Sequence, residues 1–276
     1  MMNLFSKFPL IIISTIVILY PSLACNAQVY PKNLITNREQ ADIEQAAREF
    51  TVLIGIKNLG SSRIDEKGSG VIIAKQRNLY YVLTAAHNFD DEEAKDEEYV
   101  ITTHDGKSYP IKNRIQIWNR LSPTREKLDL NVVLFTTSNT KPNYKYAKLI
   151  DSNNQLIADS SPPPLDSVIY AAGFPHSATG FRFASGRYKG DRISNRGDKE
   201  FSGYDFYYSD DTNVVDYGMS GGPILDQNGQ LVGIHCYGRK IKSSNPTGTH
   251  ISLGIKITTF WEKAPSFFRE QIISSP

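Results

Sequence analysis

The chain has 276 residues, 40% of them hydrophobic, which is enough to bury one large core or two medium ones. Its formal net charge at pH 7 is only +2, so no global electrostatic feature predicts nucleic acid or an anionic membrane as a partner. This composition is typical of a globular protein whose function depends on local motifs.

The N-terminal segment differs in character from the rest of the chain. Lys7 is followed by the apolar run FPLIIISTIVILY and then by PSLACNAQ, in which small residues precede Gln28. One positive charge, about 13 apolar residues and a small-residue cleavage region are typical of a secretory signal peptide. A membrane span needs about 20 residues. We therefore predict a signal peptide over residues 1–27 and a secreted or periplasmic protein.

Two alternatives for this segment remain open. The run could be retained as a membrane anchor, or SLAC could act as a bacterial lipobox with Cys25 lipidated, although the serine three residues earlier is atypical. Beyond that possible lipid anchor at Cys25, we expect no membrane association. Cys25 and Cys236 are the only cysteines, so cleavage after Ala27 would leave Cys236 without a disulfide partner.

Residues 28–50 form an N-terminal extension in which NREQADIEQAAREF has helical spacing and Asn37 as a possible N-cap. Short β-branched or aromatic runs follow, divided by polar turns: TVLIGIK, SGVIIA, YYVLT, RIQIW and LNVVLF. These runs predict an N-terminal β-barrel over residues 51–145.

A polar, proline-containing segment over residues 146–166 predicts a linker. Strand-like runs resume over residues 167–257 and predict a second β-barrel, in which the Asn-Gly pair of DQNGQ (226–230) indicates a hairpin turn. Residues 258–276 have helical spacing of aromatic residues, and Pro265 is expected to kink or restart that helix.

The hexapeptide GMSGGP places Ser220 among glycines and contains the pattern G-x-S-x-G, which also occurs at the nucleophile of α/β-hydrolases. Those enzymes place the acid and then the histidine after the serine, on a parallel βαβ framework. Here only three acidic residues follow Ser220, and the βαβ pattern is missing. We therefore expect a different class of nucleophile.

Candidate partners for Ser220 lie upstream. His87 ends an apolar strand, and Asp129 enters the otherwise apolar run LDLNVVLF. A buried carboxylate is costly unless it is partnered, and an imidazole N–H is a suitable partner. Since His87 and Asp129 belong to the first block and Ser220 to the second, the site is expected in a cleft between them.

The segments TAAH, LDLNVVLF and GMSGGP resemble, in this order, the three signature segments of trypsin-like serine proteases of the chymotrypsin fold. GSGVII (68–73) and LVGIHCYG (231–238) are similar to further strands of that family, so the resemblance extends over about residues 50–260. It implies an all-β fold of two six-stranded antiparallel β-barrels with the active site between them, plus short N- and C-terminal helices.

The resemblance further implies a serine endopeptidase of the bacterial exported type that acts on polypeptides. We expect a monomer that needs no cofactor or metal and binds no nucleic acid. Ser220 would attack the scissile carbonyl, His87 would accept its proton, and Asp129 would hold the imidazole tautomer. The backbone N–H groups of Gly218 and Ser220 would bind the oxyanion.

The chain departs from the trypsin pattern before the nucleophile. Met219 stands where trypsin-type zymogens have an aspartate that pairs with a new α-amino group, and no IVGG-like mature N-terminus precedes residue 50. We therefore predict that no trypsin-type activation switch exists.

Specificity depends on the pocket positions. Val214 aligns with the pocket-floor aspartate of trypsin, so cleavage after basic residues is disfavoured, although Asp216 lies close in sequence. His235 aligns with a histidine that contacts the acidic P1 side chain in bacterial glutamyl endopeptidases, whereas Val215 replaces their pocket threonine. A preference for glutamate at P1 and a histidine merely packed in the second barrel are both compatible with this pattern.

Residues after His235 complete the predicted substrate site. Tyr237 and Gly238 match the strand that pairs with an extended substrate backbone. Cys236 stands where the family usually has serine, and we interpret it as a small buried residue. A catalytically weak or inactive homologue acting as a binding module is the alternative function. A quality-control protease with an added peptide-binding domain is not expected from this chain length.

Overall fold

The structure is a computed structural model that describes residues 37–58, 60–90, 96–118, 127–138, 142–160, 163–191, 204–210, 215–240 and 250–274. These residues belong to one compact unit, from Ile35 to Pro276. The predictions for the signal peptide, for Cys25 and for Val214 lie outside the described residues. Within the described ranges, no helix has the length and apolar character needed to cross a membrane.

The first β block is a seven-stranded antiparallel sheet. Its strands are β1 (Thr51–Asn58), β2 (Ile64–Gln76), β3 (Leu79–Thr84), β4 (Glu97–Thr102), β5 (Ser108–Pro110), β6 (Asn113–Trp118) and β7 (Lys127–Thr136). Their order in the sheet is β5-β4-β1-β2-β3-β7-β6. The interior strand β3, LYYVLT, is buried almost throughout, as its aromatic and β-branched composition predicts.

The second block is a closed barrel. It contains β8 (Val168–Gly173), β9 (Arg182–Asp191), β10 (Phe206–Asp210), β11 (Pro223–Asp226), β12 (Leu231–Lys240) and β13 (His250–Lys256) in the order β10-β13-β12-β11-β8-β9. The turn between β11 and β12 confirms the predicted hairpin. Gly229 has φ +76°, and the Asp226 carboxylate accepts from the N–H groups of Asn228 and Gln230.

The two blocks share one hydrophobic core. A single cluster of buried side chains contains Val71 and Tyr81 from the first block together with Tyr170 and Ile234 from the second. Each fully buried large apolar side chain contributes about 1.5–3 kcal/mol relative to exposure. The burial of these apolar side chains therefore holds the two blocks together and fixes the cleft between them.

Helices cover the outside of the β blocks. Helix α1 (Asn37–Phe50) continues directly into β1, and its residue Arg48 lies over the ring of Phe181 at 4.3 Å. Helix α2 (Ile157–Ser160) is a single turn before the second block. At the C-terminus, α3 (Ile257–Lys263) and α4 (Ser266–Ile273) are separated at Pro265, where the sequence predicts a break.

The all-β prediction is confirmed, with one difference of detail. The second block is a closed six-stranded barrel, whereas the first is a seven-stranded half-barrel sheet. Its edge strand β5 is only three residues long and ends at Pro110, which has no N–H to donate. Directly after it, the chain passes from β4 to β7, since the Ile111 N–H donates to the Tyr99 carbonyl and the Lys112 N–H to the Leu134 carbonyl.

Candidate active site

His87 leaves the sheet at the end of β3. It lies in a 3₁₀ turn over Ala86–Phe89, preceded by the buried Ala85. Because strand β7 pairs with β3, with Thr84 opposite Asn131, Asp129 comes beside the turn. The register of these two strands thus brings together the histidine and the acid that the sequence singled out.

The Asp129 carboxylate accepts twice from His87. Oδ2 lies 2.7 Å from the imidazole Nδ1, and Oδ1 accepts from the backbone N–H of His87 at 3.0 Å. Burial lowers the pKa of His87, but the hydrogen bond and charge of Asp129, with a smaller contribution from Asp90, outweigh it. The pKa of His87 is therefore raised above its ordinary value.

A third donor to this carboxylate was not predicted from the sequence. The hydroxyl of Tyr204, two residues before β10, donates to Asp129 Oδ2 at 3.1 Å. Its ring stacks on Tyr237 with centroids 6.5 Å apart. No sequence signal distinguished Tyr204 from the other aromatic residues around β10.

Ser220 lies across the cleft from His87, in the loop before β11. Its carbonyl oxygen is held by the backbone N–H of Ser69 at 2.8 Å and by Asn88 Nδ2 at 2.9 Å. Its hydroxyl donates to the carbonyl oxygen of Cys236 at 3.2 Å. Among the described residues this is the one hydrogen bond of the Ser220 hydroxyl, so His87 and Ser220 share none in this state.

The loop before Ser220 requires glycine at position 218. Gly218 has φ +91°, and a Cβ there would lie 2.4 Å from the carbonyl oxygen of Phe174 and 2.5 Å from the His176 ring. The Tyr217 carbonyl accepts from His176 N–H at 2.7 Å. Because a trans peptide holds its C=O and N–H antiparallel, the Gly218 N–H faces away from His176. Within the described part of the chain, the N–H groups of Gly218 and Ser220 have no protein acceptor.

Ser69 is a second residue that sequence reasoning missed. It belongs to β2 and is fully buried. Its hydroxyl donates to the Gly218 carbonyl at 2.7 Å and accepts from the Phe174 N–H at 2.9 Å. The pattern GSGVII predicts only a strand here, and its polar residue between two glycines is the sequence signal that marks Ser69.

The cleft has a volume of about 810 Å³ and is lined from both blocks. The predicted residues that line it are His87, Asp129, Ser220, Val215, His235, Tyr237 and Gly238. Ser177, Tyr204, Asp216, Tyr217, Cys236 and Ser252 complete the lining. The structure thus brings every described candidate residue to one cavity or, for Gly218, to the loop beside it.

His235 is only 2% exposed, yet it lines this cavity. Its Nδ1 lies 2.7 Å from the hydroxyl of Tyr208, and the two rings are edge to face at 5.9 Å. The tautomer follows the direction of this bond: Nε2 carries the ring proton if the hydroxyl donates, and Nδ1 carries it if the hydroxyl accepts. His235 is therefore packed in the second barrel and also lines the cleft, whereas its contact with an acidic P1 side chain stays a prediction.

Cys236 is 1% exposed and is the additional residue at a register shift of β12 against β13. Burial raises the pKa of its thiol well above the usual range, and the Asp129 charge adds to this effect. A buried protonated thiol is a poor nucleophile and a poor metal ligand.

In the described ranges, no group of three or more His, Cys, Asp or Glu side chains is arranged to hold a metal ion.

The profile of the trypsin-like peptidase domain matches residues 68–234, which is more than half of the chain. No curated protein has a significantly similar sequence.

Solved structures share the fold at low sequence identity. The chain is similar to the inactive form of the Rv3671c protease, with TM-score 0.54, 16% identity and coverage of 82% of this chain and 92% of that chain. It is also similar to the HtrA-type protease AlgW with decapeptide, with TM-score 0.55, 17% identity and coverage of 84% and 67%. A third similar structure is the apo MamO protease domain from Magnetospirillum magneticum, with TM-score 0.51, 17% identity and coverage of 80% of this chain and 98% of that chain.

These structures support the fold, and the profile supports the family. The profile match begins within β2, includes β3, β7 and the Ser220 loop, and ends within β12. The chain therefore belongs to the trypsin-like peptidase family of serine proteases.

Proposed function

We propose that this peptidase is an exported endopeptidase that cleaves peptide bonds with His87, Asp129 and Ser220 as its catalytic triad. The observation that carries the proposal is the 2.7 Å His87–Asp129 hydrogen bond in the same cleft as Ser220. A histidine base oriented by a carboxylate beside a serine is the arrangement needed for acyl transfer.

In the proposed reaction, the Ser220 hydroxyl turns from the Cys236 carbonyl towards His87 when a substrate enters. Catalytic hydrogen bonds are often long or misaligned before substrate binds. The Ser220 oxygen then bonds to the scissile carbonyl carbon while its proton moves to His87. Collapse of the tetrahedral intermediate breaks the C–N bond, and His87 returns the proton to the leaving amine. Water then attacks the acyl-enzyme carbonyl while His87 takes its proton, and the ester bond to Ser220 breaks to release the acid product.

The N–H groups of Gly218 and Ser220 supply the proposed oxyanion hole. Both lack a protein acceptor in the described residues. The Tyr217–Gly218 peptide, which carries the Gly218 N–H, is oriented because its carbonyl accepts from the His176 N–H, and the following Gly218–Met219 peptide is oriented because its carbonyl accepts from the Ser69 hydroxyl. Donors that are oriented in advance stabilise the oxyanion without reorganisation during the reaction.

The proposed site needs no trypsin-type activation. Met219 is fully buried in the second-barrel cluster with Ile169 and Ala171. Apolar packing thus anchors the loop at the position where a zymogen would need a new ion pair. An enzyme that required cleavage to an Ile- or Val-initiated product for activity would contradict this part of the proposal.

We also propose that the pocket accepts an acidic P1 side chain. His235 lines the cavity, and an imidazole N–H there can bind a carboxylate. Asp216 lines the same cavity and opposes this preference by its charge. A peptide library varied at P1 tests the proposal, and the absence of glutamate or aspartate enrichment would remove it.

Export rests on the N-terminal sequence alone. A signal peptide over residues 1–27 predicts that the mature protein begins at Gln28. N-terminal sequencing of protein from the cell envelope and the medium tests this prediction. A mature chain that retains residues 8–20 would instead indicate the membrane anchor.

The decisive experiment for the triad is labelling with a fluorophosphonate probe. The wild-type protein should be labelled and Ser220→Ala should not, since the probe needs an activated serine. Ser177→Ala is a matched control because Ser177 lines the same cleft, and it should be labelled as the wild type is. Labelling that does not depend on Ser220 would overturn the proposal.

One observation favours the second candidate, a weak or inactive homologue that binds peptides. The Ser220 hydroxyl donates to Cys236 rather than to His87. If this state persists with substrate, the protein should bind peptides but resist the probe. The same labelling experiment distinguishes the two candidates.

A further inference from the structure

The Asp129 carboxylate is held from both halves of the molecule. Its two bonds from His87 come from the first block, whereas the bond from the Tyr204 hydroxyl comes from the second. Oδ2 accepts from the His87 imidazole and from Tyr204 at once. The oxygen that orients the proposed base is thus shared with a tyrosine from across the cleft.

The position of Tyr204 is fixed by its neighbours. Its ring stacks on Tyr237, at an interplanar angle of 20°. The next residue, Asp205, is tied to β13 by the bonds Asp205 N–H to the Gly254 carbonyl and Lys256 N–H to the Asp205 carboxylate, both 2.9 Å. The hydroxyl therefore reaches Asp129 from an anchored segment.

Tyr204 acts as a donor under all ordinary conditions. An ionised carboxylate has no proton to donate, so the bond requires a protonated phenol. Burial, followed by the negative charge of Asp129, raises the pKa of Tyr204 far above the usual tyrosine range. The nearby thiol of Cys236 lies 3.9 Å from the backbone oxygen of Asp129, so it contacts the main chain of that residue.

We propose that Tyr204 is a positioning residue that orients the Asp129 carboxylate and thereby sets the basicity of His87. This inference rests on the proposed triad and adds a fourth side chain to it. Tyr204 does not touch the reacting atoms. It acts through Asp129, whose charge stabilises the protonated imidazole.

The direction of the effect follows from the shared oxygen. While Tyr204 donates to Oδ2, part of the carboxylate charge is already balanced before His87 takes up a proton. Without the hydroxyl, the Asp129 carboxylate beside a neutral His87 imidazole is less stabilised. The state in which His87 is an imidazolium paired with that carboxylate is then favoured. The ionisable groups that raise the pKa of His87 are Asp129 and Asp90. Those that raise the pKa of Tyr204 include Asp129, Cys236 and Tyr237. Removing the hydroxyl should therefore raise the pKa of His87.

The test compares the pH dependence of fluorophosphonate labelling in the wild type, Tyr204→Phe and Tyr109→Phe. Phenylalanine at position 204 keeps the ring against Tyr237 and removes only the hydroxyl. Tyr109 is a suitable control because its hydroxyl bonds to Tyr144 at 2.8 Å in the first sheet, and it does not line the cleft. Melting temperatures of the three proteins establish that each is folded.

In Tyr204→Phe, the acid limb of the rate profile should move to higher pH by about half a unit. Because half a unit changes the unprotonated fraction of His87 by at most about threefold, the labelling rate at neutral pH should fall by up to about threefold, while the plateau rate at high pH is kept. Tyr109→Phe should keep the wild-type midpoint. A purely structural loss would lower the rate at all pH values alike and leave the midpoint in place, which would overturn the inference.

The proposed function and this inference can fail separately. If the wild type is labelled through Ser220 but Tyr204→Phe keeps its midpoint, only the role of Tyr204 is wrong. If the wild type is not labelled, the triad fails, and NMR titration of the His87 ring in both proteins decides the role of Tyr204. A higher pKa of His87 in Tyr204→Phe then supports it, and an equal pKa overturns it.

Discussion

The hydroxyl of Ser69 donates to the carbonyl oxygen of Gly218 at 2.7 Å, although 149 residues separate them in the chain. Ser69 belongs to the first block and Gly218 to the second. Since the same hydroxyl accepts from the Phe174 N–H, one buried side chain orients the Gly218–Met219 peptide and ties the two blocks together.

Ser69→Ala should therefore lower both stability and activity. The change leaves the Gly218 carbonyl and the Phe174 N–H without their buried partner, which costs about 1–3 kcal/mol of unfolding free energy. We expect the fluorophosphonate labelling rate to fall about tenfold, because a less ordered oxyanion loop must be reorganised during the reaction. Urea unfolding and labelling kinetics measure the two effects.

Ser209→Ala is the matched control for this change. Ser209 is also buried, and its hydroxyl accepts from the Arg187 N–H in the second barrel without lining the cleft. It should lose stability but keep the wild-type labelling rate. Equal loss of rate in both variants would show that Ser69 has no particular effect on the oxyanion loop.

Gly218→Ala should abolish most of the activity. Its φ of +91° disfavours a side chain, and the new Cβ would overlap the Phe174 carbonyl at 2.4 Å. If the peptide turns to relieve this overlap, one oxyanion donor is lost, and the rate should fall roughly 100- to 1000-fold.

Gly229→Ala separates backbone strain from catalysis. Gly229 also has positive φ, +76°, but a Cβ there meets only the Ile43 side chain at 3.4 Å, far along the hairpin turn. It should lose stability with little change in labelling rate. A Gly218→Ala protein as active as Gly229→Ala would contradict the proposed oxyanion hole.

The raised pKa of His87 gives the reaction a defined pH dependence. Because the unprotonated imidazole is the base, the labelling rate should increase with pH and have its midpoint above about 6.5, the ordinary histidine value. Proton binding by His87 also stabilises the fold. That contribution is complete below the unfolded pKa and is lost as the pH rises through the folded pKa.

Asp129→Asn should remove this shift. The neutral amide no longer stabilises the imidazolium, so the midpoint should move to lower pH, while the plateau rate falls roughly 10⁴-fold because the imidazole tautomer is no longer held. Labelling kinetics between pH 5 and 9 measure both quantities. An unchanged midpoint would show that Asp129 does not control the charge of His87.

Asp216→Asn should strengthen any preference for acidic P1 residues. Asp216 and His235 line the same cavity, so removing the negative charge favours a substrate carboxylate. We expect kcat/KM for a glutamate-P1 peptide to increase about three- to tenfold relative to a neutral-P1 peptide. Unchanged or decreased relative cleavage after glutamate would indicate that Asp216 does not act on the P1 side chain.

The sequence by itself determined the features that depend on local patterns. Short β-branched or aromatic runs predicted the strands, the Asn228–Gly229 pair predicted the β11–β12 hairpin, and the segments around His87, Asp129 and Ser220 predicted the family. Each of these depends on neighbouring residues, whose spacing selects backbone conformation before any tertiary contact forms.

Only the tertiary structure decided the contacts that join distant segments. Tyr204 meets Asp129 across 75 residues of chain, and Ser69 meets Gly218 across 149. Strand packing and pairing also decide three further features: the bond of His235 to Tyr208, the hydrogen bond of Ser220 to Cys236 and the half-barrel form of the first sheet. Such contacts leave no periodic trace in the sequence, because a single polar atom finds its partner only when the two blocks close on a common core.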